Sequence, residues 1–219
     1  MADSKDSKAE APAIVPIRSL GPGHRERLAT HLIALDADDR YLRFGYPASD
    51  EQIRGYVDQL DFDRDDIFGI YNRKLELIAW AHLAYLRDAN SPSCAEFGVS
   101  VLAKARGRGY GSRLFDRAIV HARNEGVEML FIHALSQNVA MIRIARKAGA
   151  TLERAGAETE MYLRLPPATL DSRMSEIVDE QLAQTDYRMK LQAKAFLAFL
   201  ATLQEVRQGV REARHKSGA

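Results

Sequence analysis

The 219-residue sequence predicts a mixed α/β (α+β) fold, a central mixed sheet of about seven strands flanked by helices, with a helical extension behind it. Three features lead to that class. Short apolar or alternating runs of strand length recur between Gly, Pro and Asn turn signals. Amphipathic stretches with a period of about 3.6 residues lie between some of them. Strand signals then stop at Pro166-Pro167, and the rest of the chain is rich in helix formers.

Taken in order, Ala13 to Leu20 reads as a first strand, ended by Gly21-Pro22-Gly23. His24 to Leu35 places Leu28, His31, Leu32 and Leu35 on one helical face. Asp36 to Pro47 reads as irregular. Ser49 is placed to cap a second helix, and Gln52 three residues on completes a capping box. Ile67 to Tyr71 and Leu75 to Arg87 flank Asn72-Arg73-Lys74 as a hairpin. After the turn at Asn90-Ser-Pro-Ser93, Ala95 to Leu102 is the next strand. Tyr110 to Asn124 carries Leu114, Phe115, Ala118, Ile119 and Ala122 on one face of a helix that Gly126 stops. Met129 to Ala134 is a short strand, and Asn138 to Ala148 is a helix ended by Gly149. Leu152 to Ala155 and Glu158 to Leu165 are the closing strands.

This reading divides the chain into a disordered tail at 1–12, a domain at 13–167 and a helical extension at 168–219. In the extension, Leu170, Met174, Val178 and Leu182 form one apolar stripe. Met189, Ala193, Phe196, Leu200 and Leu203 form another at heptad-like steps. The polar stretch Gln184 to Arg188 leaves one long helix or a helical pair open. The stripes either pack on the chain's own domain or join two copies as a homodimer.

Composition narrows the function. With 31 basic against 30 acidic residues there is no overall field to attract nucleic acid or an anionic membrane. One cysteine, Cys94, excludes an internal disulfide framework and a cysteine-based zinc site. The histidines His24, His31, His82, His121, His133 and His215 lack ligand spacing, so no metal is expected. The N-terminus has no signal-peptide core, and Ala195 to Leu203 is too short to span a bilayer. A soluble cytoplasmic protein is the expectation.

Arg106-Gly-Arg-Gly-Tyr-Gly111 is the chemically informative segment. Glycine lets backbone N–H groups approach a ligand closely, and the following helix presents its positive dipole end. Arg106, Arg108 and Arg113 add charge, Ser112 adds a hydroxyl, and the ensemble suits a phosphate or pyrophosphate. A P-loop would need a lysine, but the helix begins Gly111-Ser112-Arg113. A dinucleotide fold would put the glycines directly after the strand and an acid at the end of the next one. Here Ala103-Lys-Ala105 intervenes and the next strand ends at Ala134-Leu135-Ser136.

The segment resembles motif A of the GNAT-family N-acetyltransferases, Gln/Arg-x-x-Gly-x-Gly/Ala, with Arg106, Gly109 and Gly111 in register. Ala95 to Val101 is similar to that family's preceding strand, and Asn138 to Gly149 to its next helix. Asp39-Arg-Tyr-Leu-Arg-Phe44 is similar to the branch that includes bacterial protein-lysine acetyltransferases. The resemblance covers roughly residues 13 to 165 and implies a splayed sheet and acetyl-CoA as co-substrate. It implies that the backbone from about Arg108 to Arg113, with Gly107, Gly109, Tyr110, Gly111 and Ser112, holds the pyrophosphate. It also implies that Val99 and Val101 pair with the pantetheine arm and that Asn138 lies beside it. A plain N-cap is an equal and compatible role for Asn138.

Acyl transfer to an amine needs alignment and removal of a proton, because an ammonium cannot attack. Glu96 is the candidate base: glutamate is depleted from strand interiors, and this one lies a strand before the glycine loop. The competing reading is an exposed glutamate on the outer face of the strand. His82 either assists or is a satisfied core histidine. The family's usual tyrosine position is Ala145 here, so water or Ser136 protonates the leaving thiolate, or the protein is a weak enzyme. Two functions stay open: transfer of acetyl to a primary amine, of a protein lysine or a small molecule, and an acetyl-CoA sensor or scaffold with the C-terminal helices as interaction module.

Overall fold

The computed structural model describes residues 15–86 and 93–216, so the expected tail at 1–12 lies outside the described residues. Strand β1 (Arg18–Ser19) is followed by helices α1 (Arg25–Ile33), α2 (Ala37–Phe44) and α3 (Asp50–Asp58). Strands β2 (Asp66–Tyr71), β3 (Leu77–Leu86) and β4 (Cys94–Val101) lead to α4 (Tyr110–Asn124), β5 (Met129–Leu135) and α5 (Val139–Lys147). Strands β6 (Thr151–Ala155) and β7 (Glu158–Arg164) close the sheet, and α6 (Leu170–Lys216) follows. The seven strands form one mixed sheet in the order β1-β2-β3-β4-β5-β7-β6.

Local chemistry accounts for the boundaries. The capping box at the start of α3 is present: Gln52 N–H donates to Ser49 Oγ at 3.2 Å and Ser49 N–H to Gln52 Oε1 at 2.9 Å. The stretch expected to be irregular contains a helix instead. Asp36 caps α2 by accepting the Asp39 N–H at 2.8 Å, Asp38 and Asp39 favour its first turn, and Gly45 ends it at φ 79°. Of the first strand, expected from Ala13 to Leu20, the described residues form Arg18–Ser19, and Pro16 has no N–H to extend the ladder.

Alternation along β3 and β4 builds two core layers. Phe97 faces α4, where its ring meets Phe115 at 4.9 Å between centroids. Trp80 and Ser100 face the other way and meet His31 of α1: the imidazole is edge-on to Trp80, and Nε2 accepts from Ser100 Oγ at 2.9 Å. The second His31 nitrogen donates to the Leu77 carbonyl at 2.9 Å, and burial holds the imidazole at a pKa of about 4, so it is neutral.

One pairing positions the site. Strands β4 and β5 are parallel, and among the described residues their register pairs are Cys94–Met129, Ala95–Leu130 and Glu96–Phe131. Past Glu96, β4 stays with β3 as far as Val101–Ala79, while β5 continues along β7. The two strands part, and among the described residues the edge of β4 that faced β5 has no ladder partner from Phe97 onward.

Helix α6 is continuous across the polar stretch, and its 47 residues extend about 70 Å. It docks on the domain by a polar face, so of the two arrangements open for the apolar stripes, packing on the chain's own domain is not the one its described stripe residues adopt. Ser172 Oγ donates to Asn124 Oδ1 at 2.6 Å, Glu176 pairs with Arg117 at 2.7 Å and with His121, and Ser19 Oγ donates to Glu180 at 2.9 Å. Ala183 and Tyr187 are buried on the same face, with Arg18 stacked 4.0 Å from the Tyr187 centroid. Leu170, Met174, Val178, Leu182, Met189 and Phe196 point away and are exposed. The face chosen is the one whose acids complement the basic groups Arg117 and His121 on α4.

Candidate functional site

Where β4 and β5 part, a cleft of about 460 Å³ opens, within the range of small-molecule sites. Val99, Val101, Arg106, Gly107, Gly109, Tyr110, Gly111, Ser112 and Asn138 all line it, together with Asp39 and Arg43 of α2. The structure therefore brings together most residues expected from sequence. Arg108, Arg113 and the expected base Glu96 are not among the lining residues. The Arg113 N–H is also spent inside the helix on the Gly109 carbonyl at 3.0 Å, because Arg113 is the fourth residue of α4. It is thus no backbone donor to a ligand, contrary to expectation.

The glycine loop has the geometry of an anion cradle. Gly107 and Gly109 both adopt φ 75°, which disfavours a side chain. Gly109 begins α4 without a side-chain cap, and the first turn holds no acid. The N–H groups of Tyr110, Gly111 and Ser112 are left without intrahelical partners at the positive end of a 15-residue helix. Gly111 is close-packed: a Cβ there would lie 3.2 Å from Ile144 Cδ1 of α5. Arg106 pairs with the buried Asp39, which ties the loop to α2. Asn138 caps α5 by accepting the Met141 N–H at 3.1 Å while lining the cleft, so the two roles considered for it share one position.

Glu96 stands at the last register that β4 shares with β5, half-exposed, with its Oε1 3.2 Å from His133 Nδ1. His82 lies on the neighbouring strand opposite Gly98. Its Nε2 bonds Asp65 Oδ2 at 2.8 Å, and its Nδ1 lies 3.3 Å from the Tyr56 hydroxyl. Burial lowers the His82 pKa, with Asp65 opposing it. Asp65 and Asp66 thus have partners inside the fold, Asp66 binding His121 at 2.8 Å. Sequence reasoning passed over Arg43 and Tyr56, and read Asp65 only as part of an acidic run that could attract a cationic amine; the three come from separate segments and meet only in the folded chain. Ala145, at the family's tyrosine position by resemblance, is fully buried.

Among the described residues, no cluster of three or more His, Cys, Asp or Glu is placed to hold a metal. No described helix is long and apolar enough to cross a membrane.

A mixed sheet whose parallel pair parts beside a glycine-rich helix start places the protein among the α/β acetyltransferases. More particularly, the chain belongs to the Acetyltransferase (GNAT) family, whose sequence profile matches residues 31–150. Its fold is similar to the GNAT domain of S. lividans PAT, with TM-score 0.60 and 21% identity over 71% of this chain and 97% of that one. It is also similar to spermidine N-acetyltransferase from Vibrio cholerae in complex with CoA and spermine, with TM-score 0.55 and 16% identity over 69% and 95% of the two chains. A third similar fold is ribosomal-protein-alanine N-acetyltransferase from Brucella melitensis, with TM-score 0.53 and 18% identity over 68% and 99%.

Proposed function

We propose that the protein moves an acetyl group from acetyl-CoA to a primary amine by direct attack in a ternary complex. The observation that carries this reading is the parting of β4 from β5 after Glu96, with the uncapped start of α4 at the same cleft. The N–H groups of Tyr110, Gly111 and Ser112 receive the pyrophosphate, and the open edge of Val99 and Val101 receives the pantetheine arm as an added strand. Glu96, supported by His133, takes the ammonium proton. The amine nitrogen then bonds the acetyl carbon, the C–S bond breaks with its electron pair going to sulfur, and the nitrogen's second proton passes through water to the leaving thiolate. The acetyl-CoA-dependent activity belongs to the cytoplasm, with a protein lysine or a small amine as acceptor.

The test has two arms. Acetyl-CoA at 100 times its dissociation constant stabilises a folded-state binder by about 2.7 kcal/mol, which raises Tm by roughly 5–10 °C. NAD and ATP at the same concentration leave Tm unchanged. Glu96→Gln then lowers kcat by about 10²–10⁴-fold, the usual weight of a general base, while keeping the thermal shift. Unchanged turnover in that variant removes Glu96 from its role.

The buried Ala145 favours one second reading, an acetyl-CoA sensor or scaffold with little turnover. Wild-type turnover at the spontaneous rate, with the acetyl-CoA shift intact, selects it. In either case the exposed stripe of α6 joins two copies as a homodimer.

A further inference from the structure

Arg43, in the last turn of α2, has no part in the chemistry above. Its guanidinium lies over the β4 backbone where that strand has left β5: a Cβ on Gly98 would sit 3.1 Å from Arg43 Nη2. Glycine at that position is what admits the close approach. The Tyr56 ring flanks the guanidinium carbon at 5.5 Å and the Trp80 ring at 5.8 Å. Arg43 Nη2 donates to the Tyr56 hydroxyl at 2.8 Å, Tyr56 bonds His82, and Asp65 holds His82.

This chain orients the guanidinium and leaves its charge unanswered. Arg40, Arg106 and Arg117 each pair with a carboxylate, whereas Arg43 forms no ion pair among the described residues. Its Nε is buried without a hydrogen-bond partner. A partly buried cation with unmet donors is costly by itself and attracts an anion. The pyrophosphate cradle is provided elsewhere, at the start of α4. Glu96 and Gly98 are two residues apart on one face of β4, so the proposed base and the guanidinium lie about 7 Å apart along the strand. That spacing fits an amine at Glu96 and a carboxylate at Arg43 on one small molecule. A polyamine, cationic along its length, would be repelled there.

We infer that Arg43 sets acceptor specificity by binding a carboxylate that the acceptor carries beside its reactive amine, as a free α-amino acid does. The inference rests on the acetyl-transfer reading for the direction in which the amine points.

The experiment compares free L-amino acids with their own carboxamides, by calorimetric binding to the CoA-saturated protein and by initial rate with acetyl-CoA. The acid form is expected to be favoured by at least about tenfold, the weight of a charge-assisted hydrogen bond. Arg43→Met removes that preference while acetyl-CoA affinity stays within about threefold of wild type. Arg43→Lys keeps part of it, a point charge without the fork. Tyr56→Phe, which loosens the guanidinium but keeps its charge, reduces the preference without abolishing it. Equal binding of acid and carboxamide by the wild type overturns the inference. So does an Arg43→Met variant that weakens both forms alike, the mark of a purely structural residue. An Arg43-dependent preference for succinyl-CoA over acetyl-CoA would seat the carboxylate on the acyl group and overturn the acceptor assignment. Because binding needs no turnover, an intact acid preference without acetyl transfer sinks the proposed reaction and upholds the role of Arg43.

Discussion

Gly109 concentrates the demands of the site in one backbone. It is at φ 75°, it precedes the first turn of α4, and its carbonyl accepts the first helical bond from Arg113. A side chain there is strained, and any relief of the strain reorients the N–H groups of Tyr110 and Gly111. Gly109→Ala is expected to lower stability by about 1–2 kcal/mol, the cost of a left-handed non-glycine residue, as read by denaturant unfolding. Acetyl-CoA affinity, followed by thermal shift, should fall further than that stability loss explains. An unchanged affinity would place the pyrophosphate elsewhere. His31 shows the opposite case of a residue whose chemistry is wholly internal: both of its nitrogens are bonded within the core, which leaves none for a substrate.

At the scale of elements, α6 is latched to the domain by titratable groups. His121 of α4 lies between Asp66 of β2 and Glu176 of α6, and Arg117 and Asn124 complete the contact. Burial alone would lower the His121 pKa, but its bonds to Asp66 and Glu176 raise it to about 9. Burial likewise works to raise Glu176, and its bonds to His121 and Asn124 bring it down to about 2. The contribution of His121 is full below its ordinary value of 6.5 and is lost as pH rises through about 9. The contribution of Glu176 is full above 4.5 and is lost as pH falls through about 2. Docking of α6 is therefore strongest between pH 4.5 and 6.5 and weakens toward pH 9. Amide hydrogen exchange along the docked part of α6, corrected for intrinsic rates, checks this. In Glu176→Gln the protection should be lower and much less dependent on pH. Protection that rises from pH 7 to 9 would refute the latch.

For the whole molecule, the consequence of polar docking is an apolar stripe left in solvent. Leu170, Met174, Ile177, Val178, Leu182 and Met189 are each exposed on α6. Such a contiguous apolar row on a long helix is the signature of a helix–helix seam. A homodimer is expected in sedimentation equilibrium at micromolar concentration. Val178→Glu with Leu182→Glu should convert it to monomer while the acetyl-CoA thermal shift persists, since the cleft lies in the domain. A wild-type protein that is monomeric at all accessible concentrations would exclude this interface.

Much of the fold was legible in the sequence because local rules fix it. The Ser49–Gln52 box, the hairpin around Asn72, and the glycine stops at Gly126 and Gly149 each rest on a few adjacent residues. The cradle was legible for the same reason, since its glycines, its helix start and most of its lining are contiguous from Arg106 to Ser112. Helix α2 was carried by a legible signal that was overlooked, the Asp36 cap with Asp38 and Asp39 ahead of Gly45. What the sequence by itself determined was thus the order of elements and the glycine-rich loop that starts α4. Only the tertiary structure decided where β4 leaves β5, which face of α6 docks, and that Arg43, Tyr56, His82 and Asp65 form one chain beside Glu96. Those outcomes depend on strand register and on charges meeting across segments far apart in sequence, and no local propensity encodes which distant residues will become neighbours.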